Sequence, residues 1–112
     1  MNALRDTLRK FVAERDWDKF HSPKNLAMAL SVEAAELMEH FQWLTEAESR
    51  SLPPEKLVQV RDEMSDVLVY LVRLADKLEV DLLDAAQKKI EKNALKYPAA
   101  KVRGSMKKYS DY

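Results

Sequence analysis

An all-α fold, a bundle of four to five helices, is predicted from where the helix-breaking residues lie and how the apolar residues repeat. The 112 residues include one glycine, Gly104, and four prolines, Pro23, Pro53, Pro54 and Pro98. The prolines fall between segments in which apolar side chains recur every three or four positions. Because proline and glycine interrupt helices, these residues divide the chain into predicted helices.

The first two predicted helices precede the paired prolines, and the first covers residues 3–15. Its apolar positions are Leu4, Leu8, Phe11 and Val12. The second helix begins at Ser22-Pro23, because serine accepts a backbone hydrogen bond at a helix start and proline fits the first turn. This helix is expected to continue to about residue 44. Its inward positions are Leu26, Leu30, Leu37, Met38 and Phe41.

A long third helix is predicted over residues 54–78, after a short helical turn that Thr45 and Glu48 cap reciprocally. Residues 67–72 of the long helix are apolar on every side, and such a helix has to be covered on every side. A subunit of about four helices has too little surface to enclose it. We therefore expect the bundle to be completed by oligomerisation.

The fourth predicted helix begins after Asp81, an N-cap residue, and runs to about Tyr97, where Pro98 stops it. Residues 99–112 follow as a predicted irregular tail that includes Gly104 and four cationic side chains. The predicted organisation is therefore one helical domain over residues 1–98 and a tail over residues 99–112.

The composition argues against several classes of function. Nineteen basic and nineteen acidic residues give a formal net charge of zero, so no excess positive field is available to neutralise polymeric DNA or RNA. The chain has no cysteine, which leaves oxygen and imidazole groups as metal ligands and permits a reducing compartment. No run of about 18 apolar residues occurs. The expected location is therefore the cytoplasm, with no membrane partner.

Four carboxylates form two pairs of equal spacing on the second and third predicted helices. Glu33 pairs with Glu36, and Glu63 pairs with Asp66, so that both acids of a pair lie on one helix face. Apolar neighbours place them at the edge of the core, where a carboxylate needs a positive partner, either a basic side chain or a metal ion. Two matched pairs favour the metal. An all-oxygen set suits Mg²⁺, with Mn²⁺ as a substitute, together with a phosphorylated small molecule.

Two further groups of residues are candidates for binding that molecule. Lys89 and Asn93 lie one turn apart on the fourth helix, where they are either phosphate contacts or part of a solvated face. The aromatic candidates are Trp17, His21, Trp43 and Tyr70. The two tryptophans near helix ends are either core aromatics or a wall on which a base stacks.

Several motifs follow one another in a fixed order along nearly the whole chain. They are Glu33-Ala-Ala-Glu36, Asp62-Glu63-Met-Ser-Asp66, Lys89-x-x-x-Asn93 and Lys-Tyr97-Pro98. Together they resemble the all-α nucleoside triphosphate pyrophosphohydrolases of the MazG type. The similarity to the dCTP pyrophosphatase branch is carried by Glu14-Arg15-Asp16-Trp17, Phe41-Gln42-Trp43 and Arg103-Gly104-Ser105. Val32 stands where many members carry a further glutamate, a departure that this branch shares.

The resemblance implies hydrolysis of a nucleoside triphosphate such as dCTP between its α and β phosphates, with Mg²⁺ as cofactor. The products are a monophosphate and pyrophosphate, in keeping with nucleotide-pool housecleaning. The implied metal ligands are Glu33, Glu36, Glu63 and Asp66. The implied triphosphate contacts are Lys89 and Asn93, and the implied base pocket is formed by Trp17, His21, Trp43 and Tyr70. The resemblance also implies a homodimer or a dimer of dimers.

One acid has to take a proton from the attacking water, and we assign this catalytic role to Glu36, with Glu33 able to exchange with it. A different class of function is a non-catalytic helical interaction module whose carboxylates form ion pairs or hold a structural metal. A related enzyme acting on dUTP or on a phosphoribosyl nucleotide is the other alternative.

Overall fold

The structure, a computed structural model, describes residues 1–104, and all regular secondary structure in that range is helical. The all-α prediction is confirmed. The elements are α1 (Asn2–Glu14), a 3-10 turn (Asp18–Phe20), α2 (Pro23–Glu39), α3 (Glu46–Ser49), α4 (Pro54–Lys77), α5 (Leu82–Lys96) and α6 (Ala99–Val102). Helix α6 forms where the sequence predicted an irregular tail, and residues 105–112 of that tail lie outside the described residues. Across the described range, no helix has the length and apolar character needed to cross a membrane.

Three helix starts are capped by the side chains that the sequence predicted. Ser22 Oγ and Asp81 Oδ1 each accept a backbone N–H from the residue three positions later, both at 3.1 Å. At α3, the Glu48 N–H donates to Thr45 Oγ1 at 3.1 Å, and the Thr45 N–H donates to Glu48 Oε1 at 2.9 Å. Each cap satisfies backbone donors that have no partner within the helix.

Helix α2 ends at Glu39, about five residues before the predicted end, and residues 40–44 form a tight turn. In this turn the Leu44 N–H donates to the Phe41 carbonyl, three residues back instead of four. The N–H that would continue the α-helix belongs to Thr45, and it donates to the Glu48 carboxylate instead. The predicted boundary was therefore wrong because the capping box of α3 takes the donor that a longer α2 requires.

The chain divides into two compact units, residues 1–80 and residues 81–112. In the first unit, α2 packs along α4, and α1 packs against α4 over a smaller surface. The buried apolar side chains are Leu8, Val12, Leu26, Val60, Val72 and Ala75. The second unit contains α5 and α6, and its exposed large apolar side chains are Leu83, Ile90 and Leu95.

Helices α2 and α4 are antiparallel, as two sets of contacts along them show. His21, just before α2, bonds Arg73 near the end of α4, whereas Glu33 in the middle of α2 approaches Glu63 in the first half of α4. Residue numbers therefore increase along α2 in the direction in which they decrease along α4. This pairing brings the two predicted acid pairs to the same level of the bundle.

Met38, which the sequence placed inward on α2, is exposed, and so is Phe11, one of the apolar positions of α1. Phe11 is 42% exposed, and its ring instead carries the Arg15 guanidinium at 3.7 Å from its centroid and the Trp17 ring at 5.8 Å. Met38 is 59% exposed because the face of α2 toward α4 follows Leu26, Leu30, Glu33 and Leu37, and Met38 lies one position away from it. The prediction that Met38 points inward was wrong for the subunit.

Replacing Leu26 by alanine is expected to lower the free energy of unfolding by about 2–5 kcal/mol, because Leu26 is fully buried and truncation leaves a cavity. The matched control is Leu95→Ala, at a position that is 83% exposed, for which we expect a change of no more than about 0.5 kcal/mol. Urea unfolding followed by circular dichroism measures both. Equal losses in the two variants would contradict the described packing of α2.

Candidate active site

Glu33, Glu36 and Glu63 meet between α2 and α4. Each offers a carboxylate oxygen, and the three oxygens lie within 4.8 Å of one another. On α2, Glu33 falls on the face that also carries Leu30 and Leu37. On α4, Glu63 follows buried Val60 by one turn, so helical spacing aims these acids at the contact between the two helices. We refer to these three residues as the carboxylate cluster.

The carboxylate cluster contains two buried oxygens without a hydrogen-bond donor, Oε2 of Glu33 and Oε2 of Glu63. A buried carboxylate oxygen without a donor has lost its hydrogen bonds to water without forming new ones, which destabilises its charged form. Burial is the main reason that the pKa of Glu33 rises to about 7. The protonated carboxyl also gains hydrogen bonds to Glu63 and Glu36 that two charged carboxylates cannot form, which raises the pKa further. The charges of Glu36 and Asp66 raise this pKa further.

Within residues 1–104, the carboxylate cluster has no basic partner. Among residues 1–104, no ion pair joins a lysine, arginine or histidine to Glu33, Glu36, Glu63 or Asp66. The alternative in which these acids are structural ion pairs therefore finds no support in the described part of the chain. The three oxygens are left to share a proton or to bind a cation.

Asp66, the fourth predicted ligand, lies one turn after Glu63 on α4 and is exposed. It is not one of the three residues whose oxygens lie within 4.8 Å of one another. Its charge nevertheless contributes to the raised pKa of Glu33, so its carboxylate lies close enough to act on the cluster. The structure thus brings three of the four predicted ligands together as the carboxylate cluster and leaves Asp66 at its edge.

The four aromatic candidates occupy different environments. Trp43 lies in the turn after α2 and is 85% exposed, whereas Trp17 is partly covered by the edge of the Phe11 ring. Tyr70 is half-buried on α4. His21 is half-buried, and its Nδ1 accepts a hydrogen bond from Arg73 Nε at 3.3 Å. Its pKa is lowered by burial and by the positive charge of Arg73.

His21 lies at a distance from the carboxylate cluster along the helix pair. Arg73, the partner of His21, follows Glu63 by ten positions on α4, and a helix rises about 1.5 Å per residue. The separation is therefore about 15 Å along the helix axis. Any single ligand that touches both has to be extended along α2 and α4.

The triphosphate candidates Lys89 and Asn93 are exposed and share one face of α5. They belong to the second unit of the chain, whereas the carboxylate cluster belongs to the first.

Sequence reasoning missed Arg73 and the acids that hold it. Arg73 is only 4% exposed, donates to Asp18 Oδ1 at 3.0 Å and to Asp76 Oδ2 at 3.4 Å, and contacts His21 as described above. The available signal was an arginine between Val72 and Leu74, inside an otherwise apolar part of α4. A charge in such a position is rarely buried without partners, so it predicts acids nearby.

Within residues 1–104, helices α2 and α4 bring together carboxylates that have no basic partner, which defines an all-α protein with a candidate cation site. Residues 28–112 match the MazG-like family, and the chain belongs to this family. The resemblance inferred from the sequence motifs is thereby confirmed.

Individual relatives agree with this assignment. The chain is 45% identical to mouse dCTP pyrophosphatase 1 and 44% identical to the human protein, in each case over 104 residues. Each match covers 91% of this chain but 61% of the relative, so the chain spans less than two thirds of their length. The crystal structure of a pyrophosphatase from Archaeoglobus fulgidus superposes with a TM-score of 0.83 at 43% identity, covering 88% of this chain and 92% of that one.

Stability without divalent metal should fall as the pH rises toward and through 7. The folded-state pKa of Glu33 is raised to about 7, above the ordinary value, so the protonated form is favoured by folding. The stability that the protonated Glu33 contributes to the folded state is fully present below the ordinary glutamate pKa, and it is lost as the pH rises and Glu33 ionises. In a chelating buffer at pH 8, Glu33→Gln should therefore melt roughly 4–8 °C above the parent protein, the shift that about 1 kcal/mol gives in a domain of this size.

At pH 5 the same comparison should give a much smaller difference, because the parent protein then carries the proton. Glu39→Gln, an exposed acid on the same helix, is the matched control and should not produce this pH-dependent gain. A Glu33→Gln variant that is less stable than the parent at pH 8 would contradict the described crowding of charge.

Proposed function

We propose that this protein is a Mg²⁺-dependent nucleoside triphosphate pyrophosphohydrolase that cleaves the bond between the α and β phosphates. The observation that carries the proposal is the carboxylate cluster. Its three carboxylates offer oxygens within 4.8 Å of one another and have no basic partner among the described residues, and Glu33 and Glu63 each have an oxygen buried without a donor. Membership of the MazG-like family and the names of the relatives support the same reaction.

The donor set of the cluster fits a hard divalent cation. All candidate ligands are carboxylate oxygens, and no cysteine is present to favour a softer metal. Glu33, Glu36 and Glu63 would hold the ion, with Asp66 at the edge of the site. When bound, Mg²⁺ supplies charge neutralisation for the substrate phosphates, and Mn²⁺ is a suitable substitute.

We assign the general base to Glu36. Glu33 and Glu63 each have an oxygen buried without a donor, whereas neither Glu36 oxygen belongs to that set. Glu36 therefore suits the side from which water arrives, where its carboxylate accepts a proton as the water attacks the phosphorus. Glu33 is the member of the cluster that can exchange with it.

The proposed substrate is a deoxynucleotide such as dCTP. The relatives in mouse and human are named for dCTP, and the aromatic set Trp17, His21, Trp43 and Tyr70 is proposed to form the base pocket. An exposed tryptophan such as Trp43 offers a face on which a base can stack. Lys89 and Asn93 are proposed to contact the triphosphate as a charge and an amide donor.

A homo-oligomer, a dimer or a dimer of dimers, is part of the proposal. Several large apolar side chains on the two central helices are exposed in the single subunit. These are Met28, Val32, Met38, Met64 and Leu68. A partner subunit would cover such a surface. We further propose that the protein is cytoplasmic and that it acts on free nucleotides, not on polymeric nucleic acid.

The rival class, a non-catalytic interaction module, is separated from the enzyme by two measurements. A thermal melt with and without Mg²⁺ reports binding, and pyrophosphate release from each deoxy and ribo triphosphate, with 5-substituted cytosine forms, reports turnover. Stabilisation by Mg²⁺ without turnover of any nucleotide would favour the module. Turnover confined to dUTP, or found only with a phosphoribosyl nucleotide, would favour the related enzymes instead.

Replacing Glu63 by glutamine should lower kcat by at least about 100-fold, because it removes a metal-binding charge while preserving the shape of the side chain. Pyrophosphate release at saturating Mg²⁺ measures the loss, and circular dichroism checks that helix content is unchanged. Glu55→Gln, an exposed acid on the same helix, is the matched control with expected parent-like turnover. Near-normal hydrolysis by Glu63→Gln would refute the metal assignment.

Replacing Trp43 by alanine should raise the KM for the nucleotide by roughly 10-fold while leaving kcat within about twofold, because stacking on a base is worth about 1–3 kcal/mol. The conservative variant Trp43→Phe keeps an aromatic face and should retain most of the affinity. An unchanged KM in Trp43→Ala would remove this residue from the base pocket.

A further inference from the structure

Arg73 is the most confined charged side chain in the described part of the chain, and all three of its guanidinium nitrogens are engaged. It is 4% exposed on α4. Its Nε donates to His21 Nδ1 at 3.3 Å, its Nη2 to Asp18 Oδ1 at 3.0 Å and its Nη1 to Asp76 Oδ2 at 3.4 Å. Because the guanidinium is planar, three bonds in different directions fix its orientation.

The two acids that accept hydrogen bonds from Arg73 each have a second basic partner. Asp76 accepts from Arg9 Nε of α1 at 2.8 Å, and Asp18 pairs with Lys77 Nζ at 2.6 Å. The Arg9 contact is the main reason that the pKa of Asp76 is lowered, and the Lys77 contact is the main reason for Asp18. Both acids therefore stay charged at neutral pH, and the guanidinium keeps its anchors.

The contact with Arg73 determines where His21 carries its proton. A guanidinium nitrogen has no free electron pair to offer and can only donate. The Nδ1 of His21 must therefore be the accepting, unprotonated nitrogen, which leaves the proton of the neutral ring on Nε2. Within residues 1–104, Nε2 makes no hydrogen bond to the protein, and the ring is only half-buried.

The charged groups around the ring keep it neutral. Arg73 and Lys77 on α4 disfavour a second positive charge on His21, whereas Asp18 in the 3-10 turn favours it. Burial and the two cations outweigh the acid, so the pKa of His21 lies below its ordinary value. At neutral pH the His21 ring therefore offers its Nε2–H as a donor, while its acceptor, Nδ1, is occupied by Arg73.

We propose that Arg73 is a positioning residue that holds His21 in the tautomer protonated on Nε2, so that the ring presents a fixed hydrogen-bond donor to an acceptor on the substrate base. The inference rests on the proposed function, which places His21 in the base pocket. A base that presents a donor at this point is disfavoured, because the site cannot supply an acceptor without breaking the Arg73 contact.

The tautomer can be read directly by nuclear magnetic resonance. The chain contains two histidines, so His40 provides an internal reference. Long-range proton–nitrogen correlation spectra of the full chain at neutral pH should show His21 Nδ1 as an unprotonated imidazole nitrogen and Nε2 as the protonated one. A proton mainly on Nδ1, or nitrogen chemical shifts that show comparable populations of the two tautomers, would overturn the inference whether or not any variant folds.

Arg73→Met tests the cause, because methionine keeps apolar bulk and removes both the donor and the charge. In this variant His21 should exchange between tautomers and its pKa should rise, while the His40 signals stay unchanged. Arg73→Lys restores a positive charge and one donor, and should recover part of the tautomer preference. A His21 ring that keeps its single tautomer and its pKa in Arg73→Met would show that Arg73 does not set them.

Kinetics test whether the tautomer serves the substrate. Loss of one hydrogen bond to the base should raise the KM of Arg73→Met by roughly 3- to 10-fold with little change in kcat. In a His21→Phe background the same substitution should add no further change, because Arg73 acts through His21. Equal effects of Arg73→Met on KM in both backgrounds would mean that Arg73 acts independently of His21 and would overturn the inference.

Failure of the proposed function is distinguishable from failure of this inference. The spectrum of the free protein reports the tautomer without any nucleotide, whereas pyrophosphate release from the unmodified chain reports the reaction. Absence of release with every nucleotide overturns the proposed function and, with it, the role of the ring toward a base. Release together with a proton on Nδ1 overturns the Arg73 inference alone.

Discussion

The crowding of three carboxylates between two antiparallel helices is the constraint on which the site depends. Glu33, Glu36 and Glu63 have oxygens within 4.8 Å of one another, and no basic residue pairs with them in the described part of the chain. Such an arrangement costs stability in the absence of a counterion, since burial and mutual repulsion both oppose ionisation. A divalent cation bound to the carboxylate cluster, as we propose, would relieve this cost, and stability is commonly lower at functional sites.

Packing at other levels of the same helix pair holds the acids together. Leu26 fixes α2 in the core, and the network around Arg73 ties the 3-10 turn before α2 to the end of α4. The two helices are therefore joined by apolar contact and by ion pairs on one side of the carboxylate cluster. From the rise of an α-helix, the carboxylate cluster and the network around Arg73 lie about 15 Å apart along the helix axis. A substrate that contacts both must therefore lie along the helices.

Much of the fold and part of the site could be predicted from the sequence. Helix α4 and the caps at Ser22, Thr45 and Asp81 follow local rules, because prolines and capping side chains act within a few residues. The clustering of Glu33 and Glu63 followed from matched spacing on two successive helices. The early end of α2 was missed because a capping box competes for one backbone donor. The exposure of Met38 was missed because it lies one position away from the face of α2 that packs on α4.

The role of Arg73 could not be predicted from spacing, because its partners Asp18 and His21 lie more than fifty positions away in the chain.

The most direct test of the central claim is the release of protons when Mg²⁺ is added to the metal-free protein in weakly buffered solution near pH 6.5. A cation that displaces the proton shared by the carboxylate cluster should release a measurable fraction of a proton per chain, and Glu63→Gln should release far less. Addition of Mg²⁺ without proton release, or with equal release from the variant, would contradict the claim that these acids form the metal site.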